Sequence, residues 1–229
     1  MAFTFIRSAA AWAACTLAAS AWAAVDLPAL NIDKSQTTVS GLSSGGYMAV
    51  QLHVAYSSVF AKGAGIVAGG PFYCAEGSVV NATGRCMASP AGIPTSTLVS
   101  TTNSWASQGS IDAVAHLQNS KVYLFSGTLD SVVKPGVMDA LRTYYNSFVP
   151  AANVVYKKDI AAEHAMVTDD YGNTCSTKGA PYISDCNFDL AGAMLQHLYG
   201  PLNARNNAAL PAGNFIEFNQ SQFVTGHGM

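Results

Sequence analysis

Ser43 lies in a sequence pattern that is typical of a catalytic nucleophile. Positions 41–45 read Gly-Leu-Ser-Ser-Gly, and the pattern Gly-x-Ser-x-Gly marks a serine on a tight, strained turn between a strand and a helix. At such a turn the flanking glycines let two backbones pass without a clash of Cβ atoms. A pattern of five residues also arises by chance in an ordinary turn rich in Gly and Ser.

The residues around Ser43 favour the catalytic interpretation. Thr37–Val39 is a β-branched run that predicts a strand, and the apolar residues within Tyr47–Ala55 predict a helix that packs broadly against a sheet. A strand, a tight turn and a helix therefore follow one another, which is the context that the pattern requires. We predict that Ser43 is the nucleophile.

Asp130 is the predicted carboxylate partner. It follows Lys121–Phe125, a mostly apolar run typical of a buried parallel strand, across a turn that contains Gly127. In open α/β sheets the functional residues lie at the carboxyl ends of the strands. The alternative is an aspartate that caps the next helix or forms an Asx-turn.

His164 is the predicted base among the five histidines of the chain. It alone lies in a loop directly after a predicted strand, and it follows Asp130 in the sequence. The order Ser43, Asp130, His164 is that of the α/β hydrolases. Packing, helix capping or a position near the chain end explains the other four better: His53, His116, His197 and His227.

These residues predict acyl transfer from an ester to water. His164 takes the proton of the Ser43 hydroxyl as it attacks the carbonyl carbon, and Asp130 holds the imidazole tautomer. The backbone N–H of Ser44 is the predicted first donor to the oxyanion. We expect no cofactor and no metal, and an ester or polyester as the substrate.

The first 23 residues predict a signal peptide. Arg7 supplies the positive charge, Ser8–Ser20 is an apolar run rich in alanine, and Ala21-Trp22-Ala23 is a cleavage signal. The apolar run is shorter than the ~20 residues of a membrane span. We therefore expect a secreted protein, extracellular or periplasmic, without a membrane span.

Four cysteines remain after the signal peptide: Cys74, Cys86, Cys175 and Cys186. An even number in an oxidising compartment predicts two disulfides, and three connectivities are open. The short loops favour Cys74 with Cys86 and Cys175 with Cys186. A metal site is the weaker alternative, because no Cys-x-x-Cys pair and no suitably spaced histidine is present.

The composition excludes some classes of partner. Charged residues make up 10% of the chain and the formal net charge is −2, so the chain lacks the basic surface that nucleic acid requires. Hydrophobic residues make up 50%, which predicts a large core or an exposed apolar surface. We expect a monomer with one catalytic domain over residues 24–203.

Strands and helices alternate along this domain. That alternation predicts an α/β fold with a mainly parallel sheet and helices on both faces. Besides the strand and helix around Ser43, the predicted strands are Gly63–Ala68, Lys121–Phe125 and Asn153–Tyr156, and the predicted helices are Thr95–Gln108, Ile111–Leu117, one that begins at Pro135, and Phe188–Tyr199.

Four segments together resemble one family, the extracellular poly(3-hydroxybutyrate) depolymerases whose α/β-hydrolase fold is circularly permuted. They are positions 41–48 (Gly-Leu-Ser-Ser-Gly-Gly-Tyr-Met), 68–74 (Ala-Gly-Gly-Pro-Phe-Tyr-Cys), 124–130 (Leu-Phe-Ser-Gly-Thr-Leu-Asp) and 163–168 (Glu-His-Ala-Met-Val-Thr). The resemblance covers residues 39 to about 203. It implies that further strands and the second oxyanion donor follow the histidine, so residues 204–229 are expected to begin a truncated C-terminal portion.

The resemblance also implies a function. We expect a secreted serine esterase that hydrolyses poly(3-hydroxybutyrate) or its oligomers through an acyl-enzyme. Two alternatives stay open at this point. One is a secreted carboxylesterase for small or plant-wall esters, and the other is an inactive polymer-binding fragment.

Overall fold

The computed structural model describes residues 25–205 and 215–224. The predicted signal peptide lies outside these residues. The chain divides into two units, one formed by Ile32–Asn206 and the other by Met1–Asn31 with Asn207–Met229.

The larger unit is built on a sheet of four parallel strands, which pair in the order in which they occur in the sequence. Each strand is short and rich in β-branched or other apolar residues, and the register places Leu42 beside Val67 and Val67 beside Phe125. The four predicted strands are confirmed: β1 Thr38–Leu42, β2 Gly63–Val67, β3 Lys121–Phe125 and β4 Val154–Lys157.

Helices cover both faces of this sheet, as predicted. Because successive side chains of a strand point to opposite faces, Val122 and Leu124 of β3 join one core cluster and Tyr123 and Phe125 join the other. The first cluster includes side chains of the helices Ser44–Ala55, Thr95–Ser107 and Pro135–Tyr145, and the second includes those of the helix Leu190–Tyr199. The helices of this unit are α1 Ser44–Ala55, α2 Val79–Thr83, α3 Thr95–Ser107, α4 Pro135–Tyr145 and α5 Leu190–Tyr199.

A second small sheet follows the loop of His164. It consists of β5 Met166–Thr168, β6 Asn173–Thr174 and β7 Ile183–Asp185, with parallel pairs in the order β5-β7-β6. The sequence did not predict these strands, because two or three residues are too few to show the alternation that marks a strand. The disulfide Cys175–Cys186 joins the loops that leave β6 and β7.

One predicted helix also differs from the structure. The helix predicted at Ile111–Leu117 is a 3₁₀ turn at Val114–Asn119. The backbone N–H of Asp112 donates to the carbonyl of Ala55 at 3.0 Å, and its carboxylate accepts from Ser58. These bonds fix the segment to the end of α1 and delay the helical turn. The remaining turns are 3₁₀ at Lys34–Gln36, Pro90–Gly92 and Ala151–Asn153, and a π turn at Gly84–Ala88.

The smaller unit is described over residues 25–31 and 215–224 only. Val25 forms a parallel β-bridge with Phe218, and the N–H of Asn219 donates to the carbonyl of Val25 at 2.7 Å. The rings of Phe218 and Phe223 meet edge to face, and the short helix α6 spans Ser221–Val224. Throughout the described ranges of the chain, no helix combines the length and apolarity needed to cross a membrane.

Replacing Leu124 with alanine tests the central position of β3. The Leu124 side chain is fully buried, so its loss removes apolar contacts and leaves a cavity between the strand and the helices. We expect the free energy of unfolding to fall by about 2–5 kcal/mol, measured by urea denaturation. Val155→Ala on β4, where the side chain is 38% exposed, is the control and should cost less than about 1 kcal/mol. Equal losses in both variants would contradict this core.

Candidate functional site

Ser43 occupies the tight turn between β1 and α1. Its backbone has φ 58° and ψ −122°, a conformation that is strained for a residue with a side chain. A Cβ atom on Gly41 would lie 2.2 Å from the carbonyl oxygen of Gly45, so only glycine fits there. Gly45 faces open space, whereas a Cβ atom on Gly46 would lie 2.9 Å from the carbonyl oxygen of Val67. The second close approach is thus at Gly46 and not at the flanking Gly45 of the sequence pattern.

A cavity of about 560 Å³ opens beside Ser43. The backbone N–H of Ser43 donates to the carbonyl of Val67 at 2.9 Å, which ties the turn to β2. Apolar and aromatic side chains dominate the lining, including Tyr47, Met48, Tyr73, Met87 and Val133. The partly buried hydroxyl of Ser43 therefore faces a space suited to an apolar acyl group.

Asp130 is buried, with 2% of its surface exposed. One carboxylate oxygen, Oδ1, accepts the N–H groups of Val132 at 2.9 Å and Val133 at 2.8 Å. The other, Oδ2, is 2.9 Å from Nδ1 of His164. The Asx-turn that the sequence left open and the pairing with histidine are thus both present, on different oxygens of the same side chain.

His164 is held by this carboxylate, and its own side chain is only 6% exposed. Because an ionised carboxylate is only an acceptor, Nδ1 carries the hydrogen of the bond to Asp130. The neutral ring then has Nε2 free to accept a proton. Within residues 25–205 and 215–224, Nε2 takes part in no hydrogen bond. His164 lies seven residues after the end of β4, rather than directly after the strand.

The structure brings Asp130 and His164 into contact and places Ser43 at the same edge of the sheet. The three residues follow β1, β3 and β4, whose carboxyl ends lie together because the strands are parallel. Val133, which donates to Asp130, also lines the cavity beside Ser43. The structure shows no hydrogen bond between the Ser43 hydroxyl and His164 among the residues that it describes. Such bonds are often long before substrate binds.

Ser44, whose backbone N–H is the predicted oxyanion donor, lies at the N-terminus of α1. Ser44 is the first residue of α1, and the first N–H groups of a helix have no partner within it. Ser44 also lines the cavity beside Ser43. The helix dipole adds a partial positive charge at this end.

Tyr47 is a cavity residue that the sequence did not single out. Its hydroxyl donates to the backbone carbonyl of Cys86, and Cys86 forms a disulfide with Cys74. Burial, together with the nearby carboxylate of Asp130, raises the pKa of Tyr47 well above its ordinary value. Its spacing of four residues from Ser43, one helical turn, was the available signal.

Both favoured disulfides are present, and each of these four cysteines belongs to one of them. The Cα–Cα distances are 6.0 Å for Cys74–Cys86 and 4.8 Å for Cys175–Cys186. Cys74 and Cys86 line the cavity, so the first bridge is part of its wall. In the portion of the chain covered by the structure, no group of three His, Cys, Asp or Glu side chains could hold a metal ion.

Two of the other described histidines make structural contacts, and the third is exposed. His53 is fully buried in α1, its Nδ1 is 3.0 Å from the hydroxyl of Tyr145, and burial lowers its pKa to about 4. His197 Nε2 is 3.0 Å from the carbonyl oxygen of Asn153, and His116 is exposed on a 3₁₀ turn. His227 lies outside the described residues.

Comparison with known proteins identifies close relatives. The chain is 86% identical over 231 residues to a poly(3-hydroxybutyrate) depolymerase of Delftia acidovorans, covering all of this chain and 47% of that protein. It is 43% identical over 217 residues to a polyhydroxybutyrate depolymerase of Talaromyces funiculosus, covering 93% of this chain and 62% of that one. The chain thus spans about half to three fifths of the length of these relatives. No family model matches it.

Two solved structures share the fold. One is a PHB depolymerase with a serine-to-alanine substitution, complexed with an R3HB trimer, at a TM-score of 0.74 and 42% identity. The other is the PHB depolymerase from Penicillium funiculosum, at a TM-score of 0.73 and 42% identity. Each match covers 81% of this chain and 58% of the other chain.

The buried His53 predicts a dependence of stability on pH. Burial lowers its pKa from 6.5 to about 4 in the folded protein, so between these values the unfolded chain binds a proton that the folded chain does not. The contribution of His53 to the free energy of unfolding is therefore complete above pH 6.5 and is lost as the pH falls from 6.5 through 4. We expect a loss on the order of 3 kcal/mol from this residue, measured by urea unfolding at a series of pH values.

Two variants isolate this histidine. His53→Leu should flatten the pH dependence between pH 6.5 and 4, because the titrating group is gone. Tyr145→Phe removes the hydroxyl partner but leaves the histidine buried, so its pH dependence should persist. Parallel profiles for the wild type and His53→Leu would show that His53 does not titrate in this way.

Proposed function

Since the chain belongs by sequence and fold to the family of the poly(3-hydroxybutyrate) depolymerases, we propose that it is a serine esterase that hydrolyses poly(3-hydroxybutyrate) or its oligomers. Ser43 is the nucleophile, His164 the base and Asp130 the carboxylate that orients the imidazole. The buried 2.9 Å bond between Asp130 and His164, at the sheet edge that holds the strained turn of Ser43, is the observation that carries this proposal.

Acylation begins when the Ser43 hydroxyl attacks an ester carbonyl of the substrate. Nε2 of His164 accepts the hydroxyl proton as the bond between Oγ and the carbonyl carbon forms. The bond to the alcohol oxygen then breaks, and His164 returns the proton to that oxygen, so that a chain with a free hydroxyl end leaves. Asp130 stabilises the imidazolium during these steps, because its carboxylate stays ionised beside Nδ1.

Deacylation repeats these steps with water. His164 takes a proton from a water molecule as its oxygen attacks the acyl carbon, and the proton then passes to Oγ of Ser43. A carboxylic acid is released and the serine is regenerated. The N–H of Ser44 stabilises the oxyanion in both halves of the reaction.

The shape and polarity of the cavity support a polyester of short hydroxyacids. Its volume of about 560 Å³ and its mainly apolar lining suit a chain whose units carry methyl groups and ester links but no charge. The two disulfides support secretion, since such bonds persist in oxidising compartments. The predicted signal peptide over residues 1–23 belongs to the same proposal.

Ser43→Ala tests the nucleophile. The substitution removes the hydroxyl oxygen that forms the acyl-enzyme in this mechanism, so we expect hydrolysis of a soluble p-nitrophenyl ester to fall by about 10⁴-fold or more. Ser40→Ala is the matched control, because Ser40 is an exposed serine on the same strand. It should keep wild-type turnover. Undiminished turnover by Ser43→Ala would rule out the mechanism.

The polymer itself separates this proposal from a small-ester enzyme. We expect the protein to release soluble products from amorphous poly(3-hydroxybutyrate), measured as hydroxyacid in solution, and the Ser43→Ala variant to bind the polymer without releasing any. Turnover of the p-nitrophenyl ester without release from the polymer would favour a carboxylesterase for small esters. Binding by the wild type with no turnover of either substrate would favour a polymer-binding protein.

A further inference from the structure

Glu163 contacts both loops that hold the paired catalytic side chains. One oxygen of its carboxylate, Oε2, accepts the N–H of Ser131 at 3.1 Å and the N–H of His164 at 2.9 Å. Ser131 directly follows Asp130. A single acceptor atom therefore joins the residue after the aspartate to the backbone of the histidine.

This contact completes a series of bonds between the two loops. The N–H of Thr128 donates to the carbonyl of Ile160 at 2.8 Å, and the N–H of Leu129 donates to the carbonyl of Ala162 at 3.1 Å. The loops approach so closely that a Cβ atom on Gly127 would lie 2.1 Å from the carbonyl oxygen of Ala162. Beyond Leu129, side chains make the hydrogen bonds between the two loops.

The Glu163 carboxylate is itself held in place. Its own N–H donates to the carbonyl of Cys175 at 3.0 Å, next to the disulfide Cys175–Cys186. Lys178 donates to the Ser131 hydroxyl at 2.9 Å. Partial burial alone would raise the pKa of the Glu163 carboxyl, but the N–H groups of His164 and Ser131 and the charge of Lys178 lower it below its ordinary value. The ionised acceptor therefore persists at neutral pH.

We propose that Glu163 is a positioning residue, whose carboxylate fixes the His164 loop against the Asp130 loop and so holds the hydrogen bond between Nδ1 and Oδ2. The contacts of its carboxylate are with the backbone of Ser131 and His164, so Glu163 acts through the Asp130–His164 pair. Charge-assisted bonds from backbone N–H groups are about twice as strong as neutral ones. Its effect on hydrolysis rests on the proposed function, whereas its effect on the Asp130–His164 bond does not.

Two substitutions at this position separate the acceptor from the charge. Glu163→Ala removes both bonds, and a displacement of about 1 Å in a catalytic group costs about 100-fold in rate. We expect kcat on a soluble p-nitrophenyl ester to fall by about 10- to 100-fold, with KM unchanged. Glu163→Gln keeps an oxygen acceptor for both N–H groups and should restore most of kcat.

The proton of the Asp130–His164 bond gives a readout that needs no activity. In one-dimensional proton NMR, the Nδ1 proton of a histidine bound to a carboxylate is shifted far downfield. We expect this signal in the wild type and in Glu163→Gln, and its broadening or loss in Glu163→Ala. If the wild type hydrolyses no ester, the proposed function fails, while this signal still tests the role of Glu163.

Asn173→Ala is the matched structural control. Its side chain donates to the carbonyls of Gly179 and Ala180 in the same region, so its removal weakens the segment without touching the Asp130–His164 pair. We expect it to lower the unfolding temperature but to keep kcat and the downfield signal. The proposal is overturned if Glu163→Ala retains the signal, if Asn173→Ala loses as much activity at equal stability, or if Glu163→Gln is as impaired as Glu163→Ala.

Discussion

The buried hydrogen bond between Asp130 and His164 is the constraint on which the rest of the site depends. A carboxylate taken out of water is costly unless hydrogen bonds replace its solvation. Here three N–H groups do so, two from the backbone of Val132 and Val133 and one from the imidazole. The backbone pair fixes one oxygen, and this leaves the other directed at Nδ1. The turn around the aspartate therefore determines which ring nitrogen of His164 is left free, and this is the nitrogen that the proposed mechanism uses as the base.

A second constraint lies at the turn of Ser43. A left-handed backbone at a residue other than glycine costs about 1–3 kcal/mol and persists only where the surroundings enforce it. The backbone at Gly41 and Gly46 approaches Gly45 and Val67 so closely that a Cβ atom has no room, and the N–H of Ser43 is tied to β2. The sheet and α1 thus hold the hydroxyl at the edge of the cavity.

The core explains why these loops meet. Alternate side chains of β3 pack into clusters on opposite faces of the sheet, so the strand is held from both sides and its carboxyl end is fixed. The small sheet of β5 to β7 and the disulfide Cys175–Cys186 likewise fix the loop of His164. Rigid elements on both sides of these loops allow two distant segments to share hydrogen bonds at 2.8–3.1 Å.

By itself the sequence determined the features that are local. The strand and helix on either side of Ser43 and the buried strand before Asp130 follow from short-range pattern. Loop length favoured the pairing of cysteines 12 and 11 residues apart but left three connectivities open. The remaining features of the site depend on the tertiary structure. Three features depend on segments that meet in space: the need for glycine at position 46, the three short strands and the double contact of Glu163. Ser131 and Glu163, for example, lie 32 positions apart. No periodicity within one segment encodes such contacts, because each is set by how separate elements pack.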